Sequence, residues 1–232
     1  MRTTLIVALS LLSATAVAQP KKDPPKPTGV TVSGTVKVVE ADGKTEVTNI
    51  EVVVYVVGPK EELGKPVIAA SIVQTKERKF SPDLVAITTN ERVEFPNGGS
   101  LLHNVFSPKP KFDLGSFGKN EKKDSGKAFE NYRGTAEIYC NIHPEMAATV
   151  VVLPNPYHAS LDKTTKKFVI KNVPSGKFKL YAYTRRAEKP AWVEIDTTAG
   201  DVVKEIKLTR GAETKHLNKY GEKYKAPGAG YP

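Results

Sequence analysis

"EIYCNIHPEM", from Glu137 to Met146, holds the single cysteine of the 232-residue chain and one of its two methionines. Cys140, His143 and Met146 follow one another at three-residue steps, between the apolar runs "GTAEIYC" and "ATVVVLP". Short β-branched runs of that kind read as strands, so the stretch between them reads as a strand-to-strand loop. The same texture extends in both directions. "VTVSGTVKVV" places Val30, Val32, Val36 and Val38 at period two, "IEVVVYVVG" and "VIAASIVQ" are apolar and β-branched, and "LVAITTNERVEFPN" divides into two strands at Thr89-Asn90. "KFVIKNV", "KFKLYAYT", "AWVEIDTT" and "VVKEIKLT" follow, with turn signals at Asp42-Gly43, Asn97-Gly98, Ser175-Gly176 and Ala199-Gly200. No segment has the pattern of a three-turn helix. Many short strands with regular turns predict an all-β fold built from sandwiches or barrels.

Strand counting predicts how these runs are shared out. Residues 30–67 supply two strands, too few to stand alone, and residues 154–210 supply about four, marginal for a sandwich. Together they would make one small sandwich, whereas residues 68–153 make another unaided. Insertion of one domain into another is physically easy when the inserted domain's ends lie close together. The expectation is therefore a discontinuous β-sandwich, 30–67 with 154–210, interrupted by residues 68–153. The simpler alternative joins the first strands to the edge of the middle sandwich.

The chain opens with "MRTTLIVALSLLSATAVAQP", one basic residue, an apolar run from Leu5 to Leu12 and small residues ending in Ala16-Val17-Ala18. That is the layout of a secretory signal peptide over residues 1–18. The apolar run is too short to span a bilayer, and no later segment reads as a membrane span. Residues 19–29, "QPKKDPPKPTG", read as a proline- and lysine-rich tether, and 211–232 as a polar, flexible tail. The expected location is periplasmic or secreted, where a lone free thiol is a liability unless something occupies it. The formal charge of +10 fits a solvated surface or steering toward an acidic partner. Export, and lysines not interleaved with aromatics, argue against nucleic acid.

A thiolate, an imidazole and a thioether together suit copper in both oxidation states. Two histidines and a cysteine with a weak axial methionine form the blue-copper arrangement, and "CNIHPEM" offers three of those four ligands. The fourth must be another of the chain's four histidines, and His103, in "LLHNVFS" after the strand "RVEFPN", is the candidate. Each residue also has an ordinary explanation: Met146 as core filler, Cys140 as a small buried hydrophobe, His143 as a surface residue before Pro144. Zinc fits less well, since methionine is a poor zinc ligand. A binuclear copper centre would need a second cysteine, and a multicopper oxidase more histidines. His158 reads as a turn or surface residue and His216 as solvated.

"FSPDLVAITTNERVEFPNGGSLLHNVFS" followed by "EIYCNIHPEMAATVVV" resembles the cupredoxins, plastocyanin-like and amicyanin-like proteins, over roughly residues 70–153. Phe80-Ser81-Pro82 is similar to that family's entry motif, Phe95 and Asn97 to its strand before the first ligand, and His103-Asn104 to its His-Asn pair. The resemblance implies a Greek-key β-sandwich over 68–153 holding one mononuclear type 1 copper. It implies His103, Cys140 and His143 as equatorial ligands, Met146 as the axial one, and Asn104 tying the two ligand loops together. His143, with Pro144 as nearby apolar surface, would be the electron port. The flanks, "VSGTVKVVEADGKTEVTNIEVVVYVVG" and "KFVIKNVPSGKFKLYAYT", resemble halves of a carboxypeptidase-regulatory-like, transthyretin-type sandwich. Residues 107–129 are longer and more lysine-rich than a minimal cupredoxin connection, and read as a partner-binding or a solvated loop.

Four protein ligands leave no open position for substrate, so a non-enzymatic one-electron carrier is expected. Its partner would be a redox protein, a cytochrome or a copper or quinone enzyme, and Lys109, Lys111, Lys119, Lys122, Lys123 and Lys127 could steer an acidic one. A copper-delivery protein and a β-scaffold with structural copper are the alternatives.

Overall fold

The computed structural model describes residues 29–60, 63–75 and 77–224. The expected signal peptide, nearly all of the tether and residues 225–232 lie outside them. The first described strands are β1 (Val30–Val39) and β2 (Val53–Val57). Ten follow: β3 (Ile68–Ser71), β4 (Val73–Gln74), β5 (Phe80–Ser81), β6 (Leu84–Thr88), β7 (Arg92–Pro96), β8 (His103–Pro108), β9 (Lys111–Phe117), β10 (Lys122–Asp124), β11 (Gly134–Tyr139) and β12 (Ala147–Leu153). The last five are β13 (His158–Ser160), β14 (Lys167–Val173), β15 (Lys177–Tyr183), β16 (Ala191–Asp196) and β17 (Val202–Thr209). The protein is all-β, with no helix among the described residues.

The first two strands find their ladder partners at the far end of the chain. β1 pairs with β14 on one side and, in parallel, with β17 on the other. β2 lies between β13 and β15, and β15 carries β16 on its outer edge. The strands between form their own sheets: β6-β12-β11-β8-β9, β10-β7-β3 and the short pair β4-β5.

Two hydrophobic clusters follow from these sheets. One gathers Val32, Val36, Val54, Phe168, Leu180 and Ile206. The other gathers Ile72, Phe95, Val105, Phe129, Ile138 and Val150. Successive residues of a strand face opposite sides of its sheet, and β6 and β12 use both sides. Val150 and Val152 enter the second cluster, while Val151 and Leu153 enter the first. Val85 and Ile87 likewise oppose Leu84. This explains why "ATVVVL" is a continuous apolar run rather than an alternating one.

Three expectations change. Residues 107–129 are not a free loop: they build β9 and β10, and Phe117 and Phe129 are fully buried anchors. His158 is not in a turn but opens β13 opposite Tyr55, half-buried. His216, expected to be solvated, stacks on Tyr139, and polar groups of the tail between Gly211 and Tyr224 find buried or half-buried partners.

Gly34 shows how closely β1 and β17 approach. A Cβ built there would lie 1.7 Å from the Lys204 carbonyl oxygen. Gly34→Ala must push the two strands apart, and overpacking of this kind costs about 1–3 kcal/mol. Urea unfolding should show a correspondingly lower midpoint; an unchanged midpoint would contradict the parallel β1–β17 pairing.

Candidate metal centre

β11 and β12 form an antiparallel hairpin whose last ladder pair is Tyr139 with Ala147. Residues 140–146 bridge the gap. The Cys140 N–H donates to the Met146 carbonyl at 3.3 Å, and the Met146 N–H donates to the His143 carbonyl at 3.1 Å. Side-chain parity then aims the loop's ends. Ala136 and Ile138 on β11 and Ala148 and Val150 on β12 face the second cluster. Cys140 and Met146 continue those two rows, and both are fully buried in the same cluster. His103 comes from a distant segment, at the start of β8 opposite Phe117, and is also fully buried.

Three side chains converge. His103, Cys140 and His143 each offer a ligand atom, and these atoms lie within 4.8 Å of one another. The two histidine Nδ1 atoms are 3.1 Å apart, and Cys140 Sγ is 3.8 Å from the His143 Nδ1. At a tetrahedral angle, two nitrogens about 2.0 Å from one ion stand about 3.3 Å apart, and a nitrogen at about 2.0 Å and a sulfur at about 2.3 Å stand about 3.5 Å apart, close to both separations found. Hydrogen bonds between the rings and from the thiol to His143 would account for the two distances one by one, whereas a single ion accounts for both together. The donor set of two imidazoles and a thiol fits copper.

Electrostatics favour neutral ligands. Burial, then the neighbouring His143, pushes the His103 pKa down to about 4. Burial also lowers that of His143, so both imidazoles are neutral at pH 7 with lone pairs available. Burial raises the Cys140 thiol, so without a cation it keeps its proton.

Asn104 joins the two ligand-bearing segments. Its N–H points at Cys140 Sγ at 3.4 Å, its Oδ1 accepts from the Asn141 N–H at 3.2 Å, and its Nδ2 donates to Asp113 Oδ1 at 2.7 Å. The β8–β9 register shifts between Asn104 and Phe106. Gly115, at φ +70° and donating its N–H to the Asp113 carboxylate, takes the strained backbone of that bulge. Bulges re-aim side chains, and this one turns Asp113 toward Asn104.

Of the residues singled out from the sequence, His103, Cys140 and His143 meet at one point, and Asn104 bonds both ligand segments. Met146 is buried in the same cluster, and Pro144 is exposed beside the half-buried His143. Nothing in the sequence marks Asp113, Lys219 or Tyr224, and His216 reads there as merely solvated. Leu102 is 54% exposed next to His103. Lys219 and Tyr224 carry no local signature, because their contacts with Asn141, Cys140 and Asp113 span 78 to 106 residues.

No protein-family model matches the chain, and no curated protein is recognisably similar to it. Among solved structures, a purple cupredoxin from Nitrosopumilus maritimus is 24% identical over 36% of this chain and 99% of its own, with a TM-score of 0.32. Amicyanin from Paracoccus versutus is 24% identical over 37% of this chain and 81% of its own, at a TM-score of 0.32. A copper-containing nitrite reductase from Thermus scotoductus is 22% identical over 43% of this chain and 25% of its own, at 0.34. These are partial likenesses, and nothing in them supports a transthyretin-type flank. The reading of the site rests on its own geometry.

Asn104→Ala would leave the Asn141 N–H without its acceptor and Asp113 without one donor. A cost of about 1–3 kcal/mol is expected even in metal-free protein, seen as a fall in Tm of several degrees. An unchanged Tm would mean that this network does not hold the loop.

Proposed function

We propose that this is an exported type 1 copper protein that carries single electrons between redox proteins. His103, Cys140 and His143 would hold the ion, with Met146 as the weak axial ligand. The observation that carries the reading is the convergence of two imidazole Nδ1 atoms and one thiol sulfur at a buried point. Copper held there would supply a one-electron couple.

The chain's own residues suit that role. The ligands sit at strand ends and in a short hairpin loop, so the same positions can serve both oxidation states with little movement. Cys140 gives up its proton on binding, as thiol ligands must. The Asn104 N–H lowers electron density on the sulfur, and hydrogen bonding at that atom tunes the potential. With four protein ligands no position stays open for substrate, which favours a carrier over an enzyme.

His143 offers the route to the surface. Exposed Pro144 and Leu102 would form an apolar contact around it, of the small kind used in transient electron transfer. An acidic partner remains the proposal. Lys109, Lys111, Lys119, Lys122 and Lys127 are exposed, the last two also pairing with Glu94 and Glu130, whereas Lys123 donates to the Leu114 carbonyl. Residues 68–153 are proposed to be a cupredoxin unit inserted into a sandwich of 30–67 and 154–210. The pairing of β1 and β2 with strands beyond residue 157 supports this. The proposed signal peptide over residues 1–18 would direct export.

Adding Cu(II) to the purified protein should produce an intense visible thiolate-to-copper band with the narrow EPR splitting of a copper–thiolate site. Cys140→Ser should abolish it, and His103→Ala should weaken copper retention by well over tenfold. A colourless copper complex would sink the carrier reading.

A further inference from the structure

The docked tail reaches the candidate metal centre, and its contacts there are specific. Glu213 pairs with Arg185 at 2.6 Å and with Arg186 at 3.8 Å, which fixes where the tail leaves the sheets. His216 then stacks on Tyr139, the residue before Cys140, with ring centroids 3.7 Å apart and planes at 11°. Buried Asn218 organises a turn, its side-chain oxygen accepting from the N–H groups of Tyr220 and Glu222. That turn presents two residues to the ligand loop. The Lys219 N–H donates to Asn141 Oδ1 at 3.0 Å, and its ammonium donates to Asp113 Oδ2 at 2.7 Å. The Tyr224 hydroxyl donates to the Cys140 carbonyl at 2.7 Å.

With the bonds of Asn104, these close a circuit. Lys219 holds Asn141 through its backbone and Asp113 through its side chain. Asn141 and Asp113 both bond the Asn104 side chain, whose backbone N–H points at the Cys140 sulfur. Tyr224 pins the carbonyl of Cys140 itself. The tail, the β8–β9 pair and the ligand loop are thereby locked around one N–H···S contact.

We propose that Lys219 and Tyr224 are positioning residues of the metal centre, and that the C-terminal tail sets the strength of the Asn104 N–H···S hydrogen bond to Cys140. Neither side chain reaches the ligand atoms; both act through Asn104, Asn141 and the Cys140 backbone. The Lys219–Asp113 pair is partly exposed, so its contribution is geometric rather than a large Coulombic one. The inference rests on the copper reading for its electronic consequence. A slackened N–H···S bond leaves more electron density on the thiolate, which favours Cu(II) and lowers the reduction potential. Partners one shell out are known to orient and tune ligands in this way.

The test compares full-length Tyr224→Phe, Lys219→Met and Lys215→Met, the last an exposed tail lysine that controls for the change in charge. Two properties are read: amide hydrogen exchange at Asn104 and Asn141 in metal-free protein, and the charge-transfer band and reduction potential of the copper-loaded protein. Tyr224→Phe and Lys219→Met should each speed exchange at Asn141 several-fold, move the band and shift the potential downward, while Lys215→Met changes none of these. Wild-type exchange, band and potential in both variants would overturn the proposal, as would equal shifts in Lys219→Met and Lys215→Met. If the wild type forms no copper–thiolate band, the carrier reading fails, and the exchange rates still decide whether the tail positions the loop.

Discussion

Tyr139 pairs with Ala147 at the closed end of the β11–β12 hairpin, and the geometry of the site descends from that register. Because side chains alternate along a strand, a slip of one residue would exchange the two faces of β12. Val150 and Val152 would leave one hydrophobic cluster and Val151 and Leu153 the other. Both cores oppose the slip, so the register is held from two sides. The same parity sends Cys140 and Met146 inward together. The thiol position is thus a consequence of apolar burial several residues away, not of anything polar in the loop.

Burial of that kind creates a demand that the polar residues must meet. Asn104 and Asn141 are almost wholly enclosed, and a buried polar group without a partner costs about 1–3 kcal/mol. Asn104 uses its backbone N–H and its side-chain oxygen on the ligand loop, at Cys140 and Asn141, and its side-chain nitrogen on Asp113 of β9. Such a network specifies one arrangement, because any shift of the β8 end relative to the loop breaks several bonds at once. Asp113 and Lys219 extend it outward until it reaches water, where the remaining charge is solvated.

The double burial of β6 and β12 also explains the relation between the sheets. A strand with apolar side chains on both faces needs cover on both, and the first cluster supplies it where Leu84, Val151 and Leu153 project away from the metal-site core. The sheet that carries the candidate centre is therefore backed by packed side chains rather than solvent. Tyr139 and Glu137 lie on that outer side of β11, where His216 and Thr149 engage them. Ligand-bearing strands covered on both faces have little freedom to move.

How much of this could be read from the chain differs from residue to residue. The all-β class followed from period-two valines and glycine turns, which are local signals. Cys140, His143 and Met146 shared a loop by spacing alone, and the scarcity of histidines narrowed their distant partner to His103. Where local signals were absent the reading erred or stopped. Lysines at 107–129 suggested a free loop because the buried phenylalanines among them were few, yet Phe117 and Phe129 are enough to build that segment into the sandwich. Polar composition made 211–224 look flexible, because hydrogen bonds to Cys140, Asn141 and Asp113 leave no trace in the sequence near them. Most strands, the turns and the ligand-type residues are legible in the chain alone, since those depend on neighbours within a few positions. That two imidazoles meet a thiol, and that the tail closes a circuit around them, emerges only on folding, since those contacts join segments brought together by burial of the sheets.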